Sequence, residues 1–202
     1  MPHTLEDKLV VAITSRALFD LDEADKIFQN RGLAAYKEYQ VKHEDTPLNP
    51  GTAFPLVRAL LAINELVSEP MIEVILLTRN DAESGLRIIN SIQKSDLPII
   101  RMAFTDGSDP YRYLESFSCN LFLSAHKADV HAALNAGFPA ALVYPPPNEF
   151  EQDISEVRIA FDGDAVIFGE ESDQVFLKHG LEAFHRHETD MENVPMGPGP
   201  FA

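Results

Sequence analysis

Residues 9–14, LVVAIT, form an uninterrupted apolar run near the start of the chain. A run of this length and composition indicates a β-strand that is buried on both faces, as strands of parallel sheets are. Four similar runs follow within the first 145 residues, with helix-length stretches between them. We therefore expect further strands at 74–77, 99–104, 121–123 and 140–144.

The stretches between these runs carry apolar residues at helical spacing, at 52–67, 81–93 and 127–135. Alternation of strand and helix predicts an open, mainly parallel, Rossmann-like α/β sheet with helices on both faces and right-handed crossovers. Three consecutive prolines at 145–147 end the pattern. We expect a complete unit at residues 1–147 and the beginning of a second unit at 148–202, with its first strand at 157–161.

The composition restricts the class of partner. The sequence has 16 Lys and Arg against 32 Asp and Glu, a formal net charge of −16. Such a surface repels nucleic-acid polymers and anionic membranes, although a small anionic substrate remains compatible if a metal ion compensates the charge. A single cysteine, Cys119, excludes a disulfide framework. We expect a soluble cytoplasmic protein; whether it forms a homo-oligomer is not readable.

The second unit repeats the first. Residues 16–22 align with 158–164, and after a six-residue insertion residues 28–54 align with 176–202 without gaps. The second copy stops where the first still has a helix and four strands to come, so we expect the sequence to be a fragment of a longer protein. Eight of the 27 gapless pairs are identical: Phe28/Phe176, Gly32/Gly180, Leu33/Leu181, Ala35/Ala183, Glu44/Glu192, Pro47/Pro195, Pro50/Pro198 and Gly51/Gly199.

Each unit is expected to place an Asp-x-Asp pair directly after its first strand, Asp20 and Asp22 in one unit and Asp162 and Asp164 in the other. At the carboxyl end of a parallel strand, one such carboxylate could attack phosphorus and the other could act as general acid and base. Mg²⁺ prefers such oxygen ligands. An acidic turn after a strand is common, however, so either pair alone also fits a purely structural role.

The segment FDGDAVIF, residues 161–168, resembles the first motif of the haloacid dehalogenase superfamily. The second motif of that superfamily is a Thr or Ser at the end of the next strand, and the first unit supplies Thr78 at the end of its own next strand. The segments SRALFDLDEADKIF, LLTRND, NLFLSA and RIAFDGDAVIF together resemble the cytosolic 5′-nucleotidase type I family over essentially the whole chain. The resemblance implies Mg²⁺-dependent hydrolysis of nucleoside 5′-monophosphates such as AMP through an aspartyl-phosphate.

The same resemblance assigns the catalytic and metal-binding roles to Asp162 and Asp164. The first unit departs from the superfamily pattern because no Lys occurs between Lys94 and Lys127 and because SAH, at 124–126, stands where an acidic pair is expected. Asp20, Asp22 and Thr78 would then form a degenerate site, and the 202-residue chain alone would be inactive. Two alternatives stay open: a non-catalytic nucleotide-binding or scaffold module, and a haloacid dehalogenase-like phosphatase for another phosphate ester. The sequence does not distinguish AMP from IMP.

Overall fold

The computed structural model describes residues 4–145, 156–157 and 159–199. The chain divides into two compact units with a boundary after Val157. The first unit contains a five-stranded sheet in which all neighbouring strands run parallel, in the order β3-β2-β1-β4-β5. The strands are β1 (Leu9–Thr14), β2 (Ile72–Thr78), β3 (Arg101–Phe104), β4 (Leu121–Ser124) and β5 (Ala140–Leu142). The open parallel sheet expected from the sequence is confirmed.

In the described part of the first unit, five α-helices accompany these strands. They are α1 (Ser15–Leu18), α2 (Asp22–Lys42), α3 (Phe54–Ile63), α4 (Leu86–Lys94) and α5 (Lys127–Asn135). Short 3₁₀ turns lie at Asn64–Leu66 and Pro110–Tyr113. Helix α4 begins later than the predicted residue 81 because the Asp81 carboxylate accepts a hydrogen bond from the backbone N–H of Ser84 and holds the preceding residues in a turn.

The central strand β1 sends alternate side chains into two hydrophobic layers. Val11 and Ile13 pack in a layer with residues of α3 and α4, whereas Val10 and Ala12 pack in a layer with residues of α5 and of β4. All four side chains are almost completely buried. This two-sided burial explains why the run at 9–14 contains no polar residue before Thr14.

The second unit contains a five-residue π-helical turn, Gly163–Ile167, and the helices α6 (Glu171–His179) and α7 (Leu181–Met191). The prediction of a strand at 157–161 is wrong for the residues that the structure describes there, 157 and 159–161, which are irregular. Ile159 and Phe161 are exposed to 58% and 52%. No neighbouring strand of this unit pairs with them in its described part, and an apolar run alone does not form a sheet.

Candidate functional site

A cavity of about 530 Å³ opens at the carboxyl edge of the sheet in the first unit. The three central strands, β2, β1 and β4, each end in a hydroxyl residue, and these residues are Thr78, Thr14 and Ser124. All three are buried and line the cavity, as does Ser15. The first unit thus has a neutral hydroxyl floor at the position where open α/β folds bind their ligands.

Hydrogen bonds join the floor to the neighbouring loops. Ser15 Oγ lies 2.9 Å from Thr78 Oγ1, and Thr78 Oγ1 donates to Asn80 Oδ1 at 2.9 Å. The Asn80 amide in turn donates to the Tyr36 hydroxyl at 2.6 Å and to Ser84 Oγ at 3.3 Å. Residues from α1, α2 and the loop after β2 are therefore fixed relative to one another. A ligand entering the cavity would meet a preorganised surface.

The Arg79 and Lys37 side chains at this cavity form ion pairs with carboxylates. Arg79 donates to Asp109 at 2.7 Å and to Asp129 at 2.5 Å. Burial lowers the pKa of Arg79, but the two carboxylates outweigh this effect and raise it above its usual value. Lys37 forms an ion pair with Asp81. The hydrogen bond from Lys37, assisted by Ser84, lowers the pKa of Asp81 to about 2.

The predicted first-unit site residues are not all at this edge. Thr78 lies on the cavity floor, but Asp20 and Asp22 are exposed and do not line the cavity. Helix α1 separates them from the end of β1, so they do not directly follow the strand as expected. Asp20 Oδ1 accepts a hydrogen bond from the backbone N–H of Asp22, and Asp22 forms an ion pair with Arg16. These contacts fit the start of α2 rather than a catalytic pair.

In the second unit, Asp162 directly precedes the π-helical turn and has an extended backbone. Its carboxylate accepts a hydrogen bond from the Gly163 N–H at 2.7 Å, and both Asp162 and Asp164 are exposed. No group of three or more His, Cys, Asp or Glu placed to hold a metal ion occurs among the described residues. The two carboxylates are suitable oxygen ligands for Mg²⁺ but form only part of a coordination sphere.

The two units share a specific pattern of backbone contacts. Phe19 forms an antiparallel bridge with Pro50, and Phe168 forms one with Pro198. The flanking hydrogen bonds also correspond: Gly51 N donates to Leu18 O and Gly199 N to Ile167 O, while Asp20 N donates to Asn49 O and Gly169 N to Gly197 O. The duplication inferred from the sequence is thus supported by matching backbone geometry within each unit.

This correspondence corrects the alignment at the start of the repeat. Asp20 takes the place of Gly169, not of Asp162. Thr14 takes the place of Asp162, since each has an extended backbone and directly precedes a short helical turn. The turn is four residues long in the first unit and five residues long, of the π type, in the second. At this point the second unit therefore contains one extra residue relative to the first, and not a six-residue insertion.

The first unit consequently presents Thr14, Ser15 and Arg16 where the second presents Asp162, Gly163 and Asp164. Sequence reasoning missed Thr14 and Arg16 because the two Asp-x-Asp patterns look alike. The sequence contained a signal for this pairing. Residues 28–51 align without gaps on residues 176–199, which are numbered 148 higher, and the same difference of 148 pairs Thr14 with Asp162.

The open parallel sheet, with polar side chains at the carboxyl ends of its central strands, defines an α/β protein of the Rossmann-like class. The chain belongs to the 5′-nucleotidase family, whose model matches residues 1–202. It is 34% identical over 205 residues to human cytosolic 5′-nucleotidase 1B, which covers 98% of this chain. The chain spans about a third of that relative, 34% of its length. The resemblance derived from the motifs is thereby confirmed at the level of the family.

Among solved structures, the chain is similar to the HAD domain of the effector protein Lem4 from Legionella pneumophila, with a TM-score of 0.42 and 12% identity, over 72% of this chain and 90% of that one. An inactive mutant of the same domain gives a TM-score of 0.41 and 11% identity, over 89% and 98%. None of the helices in the part of the chain that the structure describes is both long enough and apolar enough to span a membrane.

Proposed function

We propose that this chain is part of a 5′-nucleotidase that hydrolyses nucleoside 5′-monophosphates of the AMP or IMP class, and that Asp162 and Asp164 carry the reaction. The observation that carries the proposal is the place of these residues in the second unit. Asp162 directly precedes a tight turn that contains Asp164, and it corresponds to Thr14, which ends the central strand of the first unit at the ligand-binding edge of such folds. Family membership supplies the class of substrate.

In the proposed reaction, a carboxylate oxygen of Asp162 attacks phosphorus and the bond between phosphorus and the nucleoside 5′ oxygen breaks. Asp164 gives its proton to that leaving oxygen, and then removes a proton from the water that hydrolyses the aspartyl-phosphate. Gly163 has no side chain, so a substrate can approach the backbone between the two acids. Both carboxylates are exposed and accessible for this chemistry.

The proposal includes Mg²⁺, with Asp162 and Asp164 as two of its ligands. When bound, the ion would supply positive charge that neutralises the Asp162 carboxylate and the substrate phosphate. Further ligands are needed, because the described residues bring no third acidic or histidine side chain to these two. A net charge of −16 supports a small metal-compensated substrate rather than a nucleic-acid polymer. The name of the human relative describes that protein as cytosolic, and we propose the same location for this one.

The test is phosphate release by the protein in its full encoded length. AMP, IMP and a sugar phosphate are compared at equal concentration, with Mg²⁺ and with EDTA. We expect release from a nucleoside monophosphate that EDTA abolishes. A preference for the sugar phosphate would instead indicate a phosphatase of different specificity. An absence of release from all three esters, in a protein shown to be folded by its melting curve, would contradict the enzymatic proposal.

A further inference from the structure

The hydroxyl floor of the first-unit cavity offers mainly hydrogen-bond acceptors. Thr14 donates its hydroxyl hydrogen to Ser124 at 3.4 Å, and Thr78 donates to Asn80 at 2.9 Å. Because the Thr78 hydrogen is used in this way, Ser15 is the donor in its 2.9 Å bond with Thr78. A hydroxyl oxygen has two lone pairs. Those of Thr14 Oγ1 and Ser15 Oγ are thus available to a ligand that brings its own donors.

The charges around the cavity also disfavour an anion. Each Lys or Arg that lines it forms an ion pair with an acidic residue that lines the same cavity, and Asp106 adds a fourth lining carboxylate. A phosphate group would face mostly acceptor oxygens and neutralised cations, with the Ser124 hydroxyl hydrogen as one available donor, whereas a phosphate site offers several donors and free positive charge. The pairs are Arg16–Asp25, Lys37–Asp81 and Arg79–Asp129.

Helix α2 forms a wall of the cavity that presents two exposed apolar side chains beside Asp25, Tyr36 and Lys37. Phe28 is 46% exposed and Leu33 is 55% exposed, and both line the cavity. The Phe28 ring packs edge-to-face on Tyr36, with ring centroids 6.1 Å apart. A flat ring placed here would cover apolar surface that is otherwise open to water. The volume of about 530 Å³ lies within the usual range for sites of small organic ligands.

We propose that the first-unit cavity binds an uncharged ligand that combines a flat ring with several hydroxyl donors, of the class of a ribonucleoside, without a metal ion and without changing it chemically. The ring lies against Phe28 and Leu33, and the ribose hydroxyls donate to Thr14 and Ser15. The choice of a nucleoside among such ligands rests on the proposed function, because a nucleoside is the product of that reaction. The binding site itself is inferred from the hydroxyl floor, from the ion-paired cations and from the apolar side chains of α2.

The test is isothermal titration calorimetry on the 202-residue chain in EDTA, with adenosine, 2′,3′-dideoxyadenosine, AMP and inorganic phosphate as separate probes. We expect adenosine to bind. Dideoxyadenosine should bind about fivefold to tenfold more weakly, because it lacks the ribose hydroxyl donors. AMP should also bind more weakly than adenosine. Inorganic phosphate should not bind. Failure of adenosine to bind at millimolar concentration, or binding of AMP as tight as that of adenosine, would overturn the proposal.

Two matched variants place the ligand in the cavity. Phe28→Ala removes the ring from the wall and should weaken adenosine binding at least about fivefold, the lower end of base–aromatic stacking. Phe176→Ala is the control, because Phe176 is also 46% exposed and its ring packs edge-to-face on Phe184 with centroids 6.2 Å apart. It should leave binding unchanged. Equal affinity of the two variants for adenosine would contradict the assignment.

The result of the adenosine-binding test can be separated from the result of the test for hydrolysis. Asp162→Asn removes the proposed nucleophile and should leave adenosine binding in EDTA unchanged, so a loss of binding in this variant would place the ligand in the second unit and overturn the inference. Ser15→Ala removes one acceptor from the floor and should weaken adenosine binding more than dideoxyadenosine binding. An equal loss for both ligands would show that the variant acts on folding alone and would count against the predicted ribose contact.

Discussion

Gly32 and Gly180 have the same backbone conformation, with φ of 81° and 80° and ψ of −178° in both. Each joins two helical segments, Gly32 within α2 and Gly180 between α6 and α7. The aromatic pairs that flank them also correspond, Phe28 with Tyr36 and Phe176 with Phe184. The repeat is therefore conserved between the two units as a helix–glycine–helix element whose joint needs a residue without a side chain.

The first prediction concerns these joints. Gly32→Ala and Gly180→Ala should each lower the free energy of unfolding by about 1–3 kcal/mol, because this backbone region is nearly restricted to glycine. A Cβ atom at either position meets no atom within 4 Å, so the expected loss comes from backbone strain and not from a clash. Chemical denaturation measures the loss.

Gly163→Ala is the matched control for these two variants. Its Cβ would lie 3.6 Å from the Phe168 ring, an ordinary van der Waals contact, and its φ is outside the positive range. We expect its unfolding curve to overlay that of the parent chain. Equal losses at all three glycines would refute the strain argument.

The second prediction separates the two acidic pairs by activity. In the protein of full encoded length, Asp162→Asn should abolish hydrolysis of AMP, because an amide provides no nucleophilic oxygen for an aspartyl-phosphate. Asp164→Asn should lower the turnover number by about 10²–10⁴-fold through loss of acid–base catalysis. Asp20→Asn should retain a substantial fraction, since Asp20 corresponds to Gly169 and lies outside the cavity.

Turnover numbers at saturating AMP and Mg²⁺, with folding checked by thermal melts, decide between the two pairs. An inactive Asp20→Asn protein beside an active Asp162→Asn protein would reverse the assignment of the catalytic unit.

The third prediction is that the 202-residue chain alone, with Mg²⁺, releases little or no phosphate from AMP. Phosphoryl transfer depends on positioned charge. The described part of the second unit contains no sheet to position Asp162 and no acidic cluster around it. A phosphate-release assay on the purified 202-residue chain, beside the protein in its full encoded length at equal concentration, gives the comparison. Robust turnover by the 202-residue chain would show that its own residues suffice.

The fourth prediction concerns acid stability. Because the Lys37 hydrogen bond lowers the pKa of Asp81 from 3.8 to about 2 in the folded chain, the ionised Asp81 stabilises the fold above pH 4. This contribution falls as the pH drops from about 4 to about 2. Asp81→Asn should thus be less stable than the parent at pH 6, and the difference should shrink towards pH 2. Denaturation curves at several pH values test this, with Asp173→Asn, an acidic position on α6, for comparison.

The fifth prediction concerns Cys119. Burial raises the pKa of its thiol to about 12, so only a trace of thiolate exists at pH 8. An aromatic disulfide reagent should react with the native chain at least about a hundredfold more slowly than with the chain in denaturant, where an ordinary thiol pKa near 8.5 applies. Similar rates in both conditions would mean that the thiol is accessible and ordinary in the fold.

The apolar runs were sufficient to predict the parallel sheet. A strand buried on two faces requires consecutive apolar residues, and that requirement is local, so β1 and its neighbours could be found from the sequence. The predicted ends of strands and helices were less accurate, because these ends depend on particular side-chain hydrogen bonds. One example is the bond from the Ser84 backbone N–H to the Asp81 carboxylate, which shortens α4. The run at 157–161 failed as a strand because the described part of its unit offers no neighbouring strand with which to pair.

The sequence by itself determined the fold class of the first unit, the family, the duplication and the acidic motif at Asp162 and Asp164. Each of these depends on residue type and spacing along the chain. Only the tertiary structure decided that Asp20 corresponds to Gly169, and that hydroxyl residues from three strands and paired cations line one cavity. The reason is physical: donor direction, ion pairing and the bridge from Phe19 to Pro50 join residues far apart in sequence, so no local pattern specifies them.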